Sequence, residues 1–241
     1  MKAIIVIIFF SGVALTFLAA CGNWGRKGNG HVVTEDKPVT PFSKISIEGI
    51  FPVELSQTGG KEWVKVETDE NLQPFIEVKN HGDELIVRSA DKSNINRATK
   101  MRVYINLKNI NELSFSSVGN LTTNDVIKLD SLDLKSESVG KLDLDIEADY
   151  LHADLNAVGN TTLRGKVREA RINNKSVGSL SAADLKTKTL MIHNTAVGSA
   201  EIYADSAFYI RSSSIGTLYY KGPGEVKELK SEGIGKVQKQ D

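Results

Sequence analysis

The chain has 241 residues, with 30 basic and 30 acidic side chains, four histidines and a single cysteine. This charge balance argues against a nucleic-acid partner and against a polybasic membrane footprint. One cysteine leaves no disulfide to staple the fold, so stability must come from packing of the 40% of residues that are apolar.

Residues 1–20 combine Lys2, an apolar stretch from residue 3 to 18 and two small residues, Ala19 and Ala20, which is the make-up of an export signal. A transmembrane anchor is the alternative, but it would need about 18 to 20 apolar residues ending in a charged flank. Gly22, Asn23, Trp24 and Gly25 follow instead. Leu18-Ala19-Ala20-Cys21 resembles the bacterial lipobox, which implies cleavage before Cys21 and lipid on that cysteine. Diacylglycerol with a further acyl chain on the amine exceeds what stable anchoring requires. Cleavage would leave 221 residues and remove only Lys2 among the charges, so 30 basic residues fall to 29 against 30 acidic, a net −1. Residues 21–41 are rich in glycine, charge and proline and read as the lipidated cysteine followed by a flexible tether. The expected location is the cell envelope, as an outer-membrane lipoprotein held to the membrane by its lipid. No acidic run resembling surface-export signals of Bacteroidetes follows Cys21, which favours the periplasmic side over the cell surface.

Residues 42–110 alternate apolar and polar side chains in short runs: Ile45 and Ile47, Val53 and Leu55, Val64 and Val66, Ile76 and Val78, Leu85 and Val87, Val103 and Ile105. Thr58-Gly59-Gly60, Asn80-His81-Gly82-Asp83 and the polar run 91–100 separate them as turns. This β-rich part reads either as irregular early coils or as a small sheet capping a solenoid built from the rest of the chain. A cap matters because an open solenoid end presents unpaired strand edges.

Residues 111–241 contain a repeat. A β-branched residue followed by glycine returns at Val118-Gly119, Val139-Gly140, Val158-Gly159, Val177-Gly178, Val197-Gly198, Ile215-Gly216 and Ile234-Gly235, with intervals of 21, 19, 19, 20, 18 and 19 residues. Six residues before each glycine stand Leu113, Leu134, Ala153, Ile172, Ile192, Ile210 and Leu229, all apolar. Eight before, the five middle repeats are apolar as well, giving the period of two expected of a strand, whereas Asn111 and Lys227 depart from it. Two before, every residue is small, and two after, most are apolar. The pattern predicts an all-β fold: a right-handed parallel β-helix, or solenoid, with coils of about 19 residues and the Val-Gly pair at a tight corner. Six intervals at the strand spacing would make a rod of about 29 Å. Leucine-rich repeats lack support because their Leu-x-x-Leu-x-Leu pattern is missing, and serial hairpins would need two turn signals per repeat.

Taken with these repeats, Phe42-Ser43-Lys44-Ile45-Ser46-Ile47-Glu48-Gly49-Ile50-Phe51-Pro52-Val53-Glu54-Leu55, Asp69-Glu70-Asn71-Leu72 and Asp83-Glu84-Leu85-Ile86-Val87 resemble the head-GIN-domain family. Its members are envelope proteins common in Bacteroidetes, often lipoproteins, labelled auto-transporter adhesins. The resemblance spans residues 42–237 and implies a β-helical head; the adhesin label rests on analogy. The naming Gly-Ile-Asn stands here as Gly49-Ile50-Phe51.

Parallel β-helices often carry polysaccharide-active enzymes, whose sites need carboxylates, or carboxylates with cations, on adjacent coils. The nearest approach is a charged face of Asp133, Lys135, His152, Asp154 and Arg171. Against it stands a solvated face on which opposite charges stack between coils. Asp143, Asp145, Glu147 and Asp149 suggest calcium, but occur once where calcium solenoids repeat Gly-Gly-x-Gly-x-Asp, and read better as an exposed strand face. The histidines lack metal-ligand spacing, so no metal, cofactor or catalytic residue is assigned. Tyr209 and Tyr219 form a candidate surface-binding patch if both point outward; the plainer reading is Phe208 and Tyr220 in the core with two incidental surface tyrosines. Few residues follow Val237, so that end is open or covered by another subunit in a homo-oligomer. The reading is a non-catalytic envelope lipoprotein whose head binds an unknown protein or glycan. The rivals are a polysaccharide-active enzyme and a purely structural envelope component.

Overall fold

The computed structural model describes residues 25–90 and 95–240; the export signal and Cys21 lie outside the described residues. The described residues are nearly all β, with 64% strand and 3% helix, and their centre is a parallel solenoid of about seven turns. One column of strands stacks Glu112–Ser117, Ser131–Ser136, residues 150–155, residues 169–174, residues 189–194, Ala207–Ser212 and Glu225–Ser231, all parallel. Beyond the glycine corner a second column stacks Leu121–Thr123, residues 142–147, residues 161–167, Leu180–Ala182, Ala200–Tyr203, Thr217–Lys221 and Lys236–Lys239.

Because the repeat length matches one coil, equivalent residues become ladder neighbours. Leu134, Ala153, Ile172, Ile192 and Ile210 lie on one another in register and are buried. Leu142, Thr161, Leu180, Ala200 and Leu218 do the same across the corner. Like stacked on like satisfies every coil with one side-chain choice, and the strands' backbone groups pair with the coils on either side. The two departures from the pattern fall at the ends of the repeat. Asn111 is exposed, and Lys227 occupies a bulge that lets Val226 pair with Phe208.

The corner needs glycine for two independent reasons. Gly140, Gly159, Gly178, Gly198 and Gly216 have φ between 127° and 146°, which side chains disfavour. A Cβ on any of them would also lie 2.0 to 2.3 Å from the carbonyl oxygen of the corner glycine in the previous coil.

Residues 42–110 supply both coils and a cap. Lys44–Gly49 runs parallel under Glu112–Ser117, and Val53–Ser56 under Leu121–Thr123, so this segment is a coil without the glycine signature. By that register Phe51 occupies the glycine column, is buried, and places its carbonyl 2.6 Å from where a Cβ of Gly119 would be. The next layer down comes from later in the chain: Glu84–Ser89 pairs with Lys44–Gly49, and Met101–Asn106 with Val53–Ser56. Stacking order therefore differs from chain order. The coil made first sits between one built from Glu84–Ser89 and Met101–Asn106 and the regular coils from residue 112.

Antiparallel strands then close the amino-terminal end. Ile76–His81 covers Glu84–Ser89 through a turn with Gly82 at φ 63°, and Trp63–Asp69 covers Met101–Asn106. Val32–Lys37 in turn pairs with Trp63–Asp69. Within the stretch expected as a tether, Arg26–Lys27 and Val32–Lys37 are therefore strands. The sequence hides this because glycine, charge and proline suit an edge strand exposed on one face as well as they suit a linker. At the opposite end, Glu225–Ser231 and Lys236–Lys239 pair with no further strand among the described residues.

Candidate functional site

Outward side chains alternate with the core columns, so each coil sets its surface residues beside equivalents one coil away. Glu112, Asp133, His152, Arg171, Met191, Tyr209 and Glu228 form one such row. Ser114, Lys135, Asp154, Asn173, His193, Arg211 and Lys230 form the next. Asp133, Lys135, His152, Asp154 and Arg171 thus share a face. The His152 ring lies between two carboxylates, with Nδ1 3.6 Å from Asp133 and Nε2 3.6 Å from Asp154. Asn173 donates to Asp154 at 2.6 Å, while Lys135 turns away to Glu137 at 3.1 Å. Arg171 lines a shallow hollow of about 270 Å³ with Tyr150, His152, Glu169 and Met191. Two of the carboxylates thus approach one imidazole, while Lys135 pairs outside the set.

The acidic run behaves as a strand face. Arg164 pairs with Asp143 at 2.6 Å and Asp145 at 3.8 Å, Lys128 with Glu147 at 3.2 Å, and Arg168 with Asp149 at 3.2 Å. Burial pushes the Asp143 carboxyl up, but hydrogen bonds from Lys141 and Arg164 outweigh it and hold the group below the usual carboxylate range. Among the described residues no group of histidine, cysteine and carboxylate side chains is arranged to hold a metal ion.

The two tyrosines are not brought together. Tyr209 stands between Met191 and Glu228 on one face, and Tyr219 between Glu201 and Gln238 beyond the corner. Their neighbours fill the interior: Phe208 is buried and meets Tyr220 edge-on, with ring centroids 5.3 Å apart.

The corner carries a feature the residue types alone did not reveal. Val118, Val139, Val158, Val177, Val197 and Ile215 bridge coil to coil, and the same position is Ile50 below and Ile234 above. These eight side chains are 44 to 84% exposed and form a continuous aliphatic ladder. Seven steps at the strand spacing make it about 34 Å long. Its main chain is already engaged, as when Val139 donates to the Ser117 carbonyl and accepts from Gly119. Only the side chains are offered outward. Polar residues flank it, Asn156, Lys175 and Thr195 on one side and Asn160, Ser179 and Ser199 on the other. At its lower end a groove of about 670 Å³ is lined by Glu48, Ile50, Ile95, Val118, Glu137 and Val139. Parity was the available signal: the β-branched residue shares odd spacing with the outward rows seven, five and three before the glycine.

Parity also places polar residues inside. Ser136, Asn174, Asn194 and Ser212 are buried four before the glycine. Asn174 donates to Asn194 at 2.9 Å and accepts from the Ser176 backbone at 3.3 Å, while Ser212 and Ser214 share a hydrogen bond of 3.0 Å. A stacked amide ladder satisfies its polar groups along the rod, which is the condition for burying them.

A family model described as "Putative auto-transporter adhesin, head GIN domain" matches residues 41–224. Solved structures share the fold. A "putative adhesin" from Bacteroides fragilis NCTC 9343 is 24% identical, with a TM-score of 0.84 over 90% of this chain and 100% of that one. A "putative adhesin" from Parabacteroides merdae ATCC 43184 is 23% identical, with a TM-score of 0.63 over 90% and 99%. A "putative lipid binding protein" from Parabacteroides distasonis ATCC 8503 is 18% identical, with a TM-score of 0.65 over 88% and 99%. No curated protein matches the chain. Among the described residues no helix is long and apolar enough to cross a membrane.

Proposed function

Because the chain belongs to the family defined by the head GIN domain of auto-transporter adhesins, we propose that it is a non-catalytic, adhesin-like envelope lipoprotein. In this reading Cys21 carries the lipid, and the solenoid head binds a ligand on its outer surface from the periplasmic side of the outer membrane. The observation that carries it is the aliphatic ladder from Ile50 to Ile234. Contiguous apolar surface rimmed by polar residues marks an interaction site on a soluble head. A protein ligand suits the ladder better than a glycan, because valine and isoleucine offer neither aromatic faces nor hydrogen bonds to sugar rings. The adhesin description of the family model supports a binding role over hydrolysis.

The test is photo-crosslinking of the acylated full-length protein in its own envelope, with the double variant Val158→Lys, Val177→Lys beside it. A protein crosslinked to the native head and lost in the variant, at unchanged thermal unfolding, is the expected result. Capture of glycan alone, or a partner indifferent to the variant, would move the site off the ladder. Depolymerisation of an acidic polysaccharide that disappears in Asp154→Ala would replace binding with catalysis. Protease added to intact cells tests the location, since a periplasmic head resists it until the outer membrane is opened.

A further inference from the structure

The amino-terminal cap carries cations that the rest of its surface does not neutralise. Arg26–Lys27 pairs with Ile95–Arg97, setting Arg26 beside Ile95 and Lys27 directly beside Arg97. All three cations are exposed. Like charges side by side on a sheet repel one another. Among the described residues no carboxylate lies within ion-pairing distance of Lys27 or Arg97. Neighbouring acids are engaged elsewhere: Glu70 with His31 at 3.2 Å, Glu67 with Lys100 at 2.7 Å, and Asp69 with the backbone of Gly30 and Thr99. Arg26 rests over the Phe75 ring at 4.0 Å, which leaves its charge available to solvent.

The patch is held firmly in place. Gly28 donates to the Arg97 carbonyl at 2.8 Å, and Asn71 donates to the Lys27 carbonyl at 2.8 Å while accepting from Asn29 at 2.9 Å. Asp69 accepts from Gly30 and Thr99 backbone, each at 2.7 Å, and from the Thr99 hydroxyl at 2.8 Å. Gly28 packs so closely that a Cβ there would lie 2.3 Å from the Asp69 carboxylate. Arg26 follows Cys21 by five residues, which span at most about 18 Å even when fully extended. A cysteine whose acyl chains enter the bilayer therefore keeps this patch within about 18 Å of the membrane interface, close enough for its cations to reach the headgroups.

We infer that Arg26, Lys27 and Arg97 form a membrane-facing contact for anionic phospholipid headgroups, an inference that rests on the reading of Cys21 as lipidated. The lipid retains the protein, and the cations fix which side of the cap meets the bilayer. Three charges are too few to hold a soluble protein at a surface but enough to orient one already anchored. The near-neutral charge of the whole chain does not bear on this, because pairing elsewhere cancels charge that this patch leaves open.

The test uses acylated full-length protein in vesicles of phosphatidylcholine, with or without phosphatidylglycerol, and compares amine acetylation of Lys27 with that of Lys239. Lys239 lies in the last strand, far from the cap, and serves as the internal reference. On phosphatidylglycerol vesicles Lys27 should react about fivefold more slowly, the effect of one cation held at an anionic surface. High salt should remove that protection, as should the variant Arg26→Gln, Arg97→Gln, with the protein still bound to vesicles. Equal Lys27 reactivity on both vesicle types, with Cys21 acylated, overturns the patch and leaves the anchor standing. Protection by free inorganic phosphate on neutral vesicles overturns the bilayer as its source. Mass spectrometry finding no lipid on Cys21 overturns the anchor reading, and the patch with it.

Discussion

Gly178 stacks on Gly159 so closely that a Cβ on Gly178 would lie 2.0 Å from the Gly159 carbonyl oxygen. The same contact recurs at the corners below and above, so a side chain at one corner would push whole coils apart rather than disturb a single turn. Gly178 also has φ of 140°, a conformation that β-branched residues avoid. Gly178→Val should therefore cost about 3 kcal/mol or more, combining backbone strain with overpacking. Thermal unfolding of the variant measures this, and an unchanged midpoint would be incompatible with the stacked corner.

Asn174→Ala should destabilise by about 1 to 3 kcal/mol, because it strands the buried Asn194 carbonyl oxygen and removes the acceptor of the Ser176 N–H. Urea unfolding reads the loss. A neutral outcome would mean that the amide ladder contributes nothing beyond its packing.

Burial pushes the Asp69 carboxyl up, but hydrogen bonds from Thr99 and Gly30 win and hold it below the usual carboxylate range. A depressed folded-state value gives stability that is present above the unfolded pKa and lost as pH falls through the folded one. Acid should therefore weaken the cap below about pH 4, where the free carboxyl titrates. Asp69→Asn should be less stable than the parent at neutral pH, and the gap should narrow on acidification. Hydrogen exchange at Gly30 and Thr99 reports the cap directly; a gap constant with pH would count against this carboxylate.

Val177 and Ile172 lie in one repeat with opposite fates, the first half exposed and the second buried. Val177→Lys should change stability by no more than about 0.5 kcal/mol. Ile172→Ala should cost about 2 to 5 kcal/mol. If Val177→Lys proves as damaging as Ile172→Ala, the ladder is structural, and a binding role for it falls.

Asp154→Ala should likewise leave stability within about 0.5 kcal/mol, since exposed pairs such as that with His152 contribute little. A large loss in urea unfolding would show the charged face to be a structural network.

The sequence by itself determined the repeat, the solenoid and the family, because coil stacking turns a period into a contact. A residue such as Ile172 meets Ile192 in space for the same reason that it matches it in the repeat. The β-rich content of residues 42–110 was legible in the same way, from alternation at Ile45, Ile47, Leu85 and Val87. Tertiary structure decided what periodicity does not encode. Phe51 in the glycine column hid a coil, and pairing of Lys44–Gly49 with both Glu84–Ser89 and Glu112–Ser117 reordered the stack. Pairing of Val32–Lys37 with Trp63–Asp69 set a strand inside the stretch expected as a tether. It likewise set Lys27 beside Arg97, residues seventy apart in sequence. Such long-range pairings depend on which edge is left open by the rest of the chain, and no local pattern of residues records that.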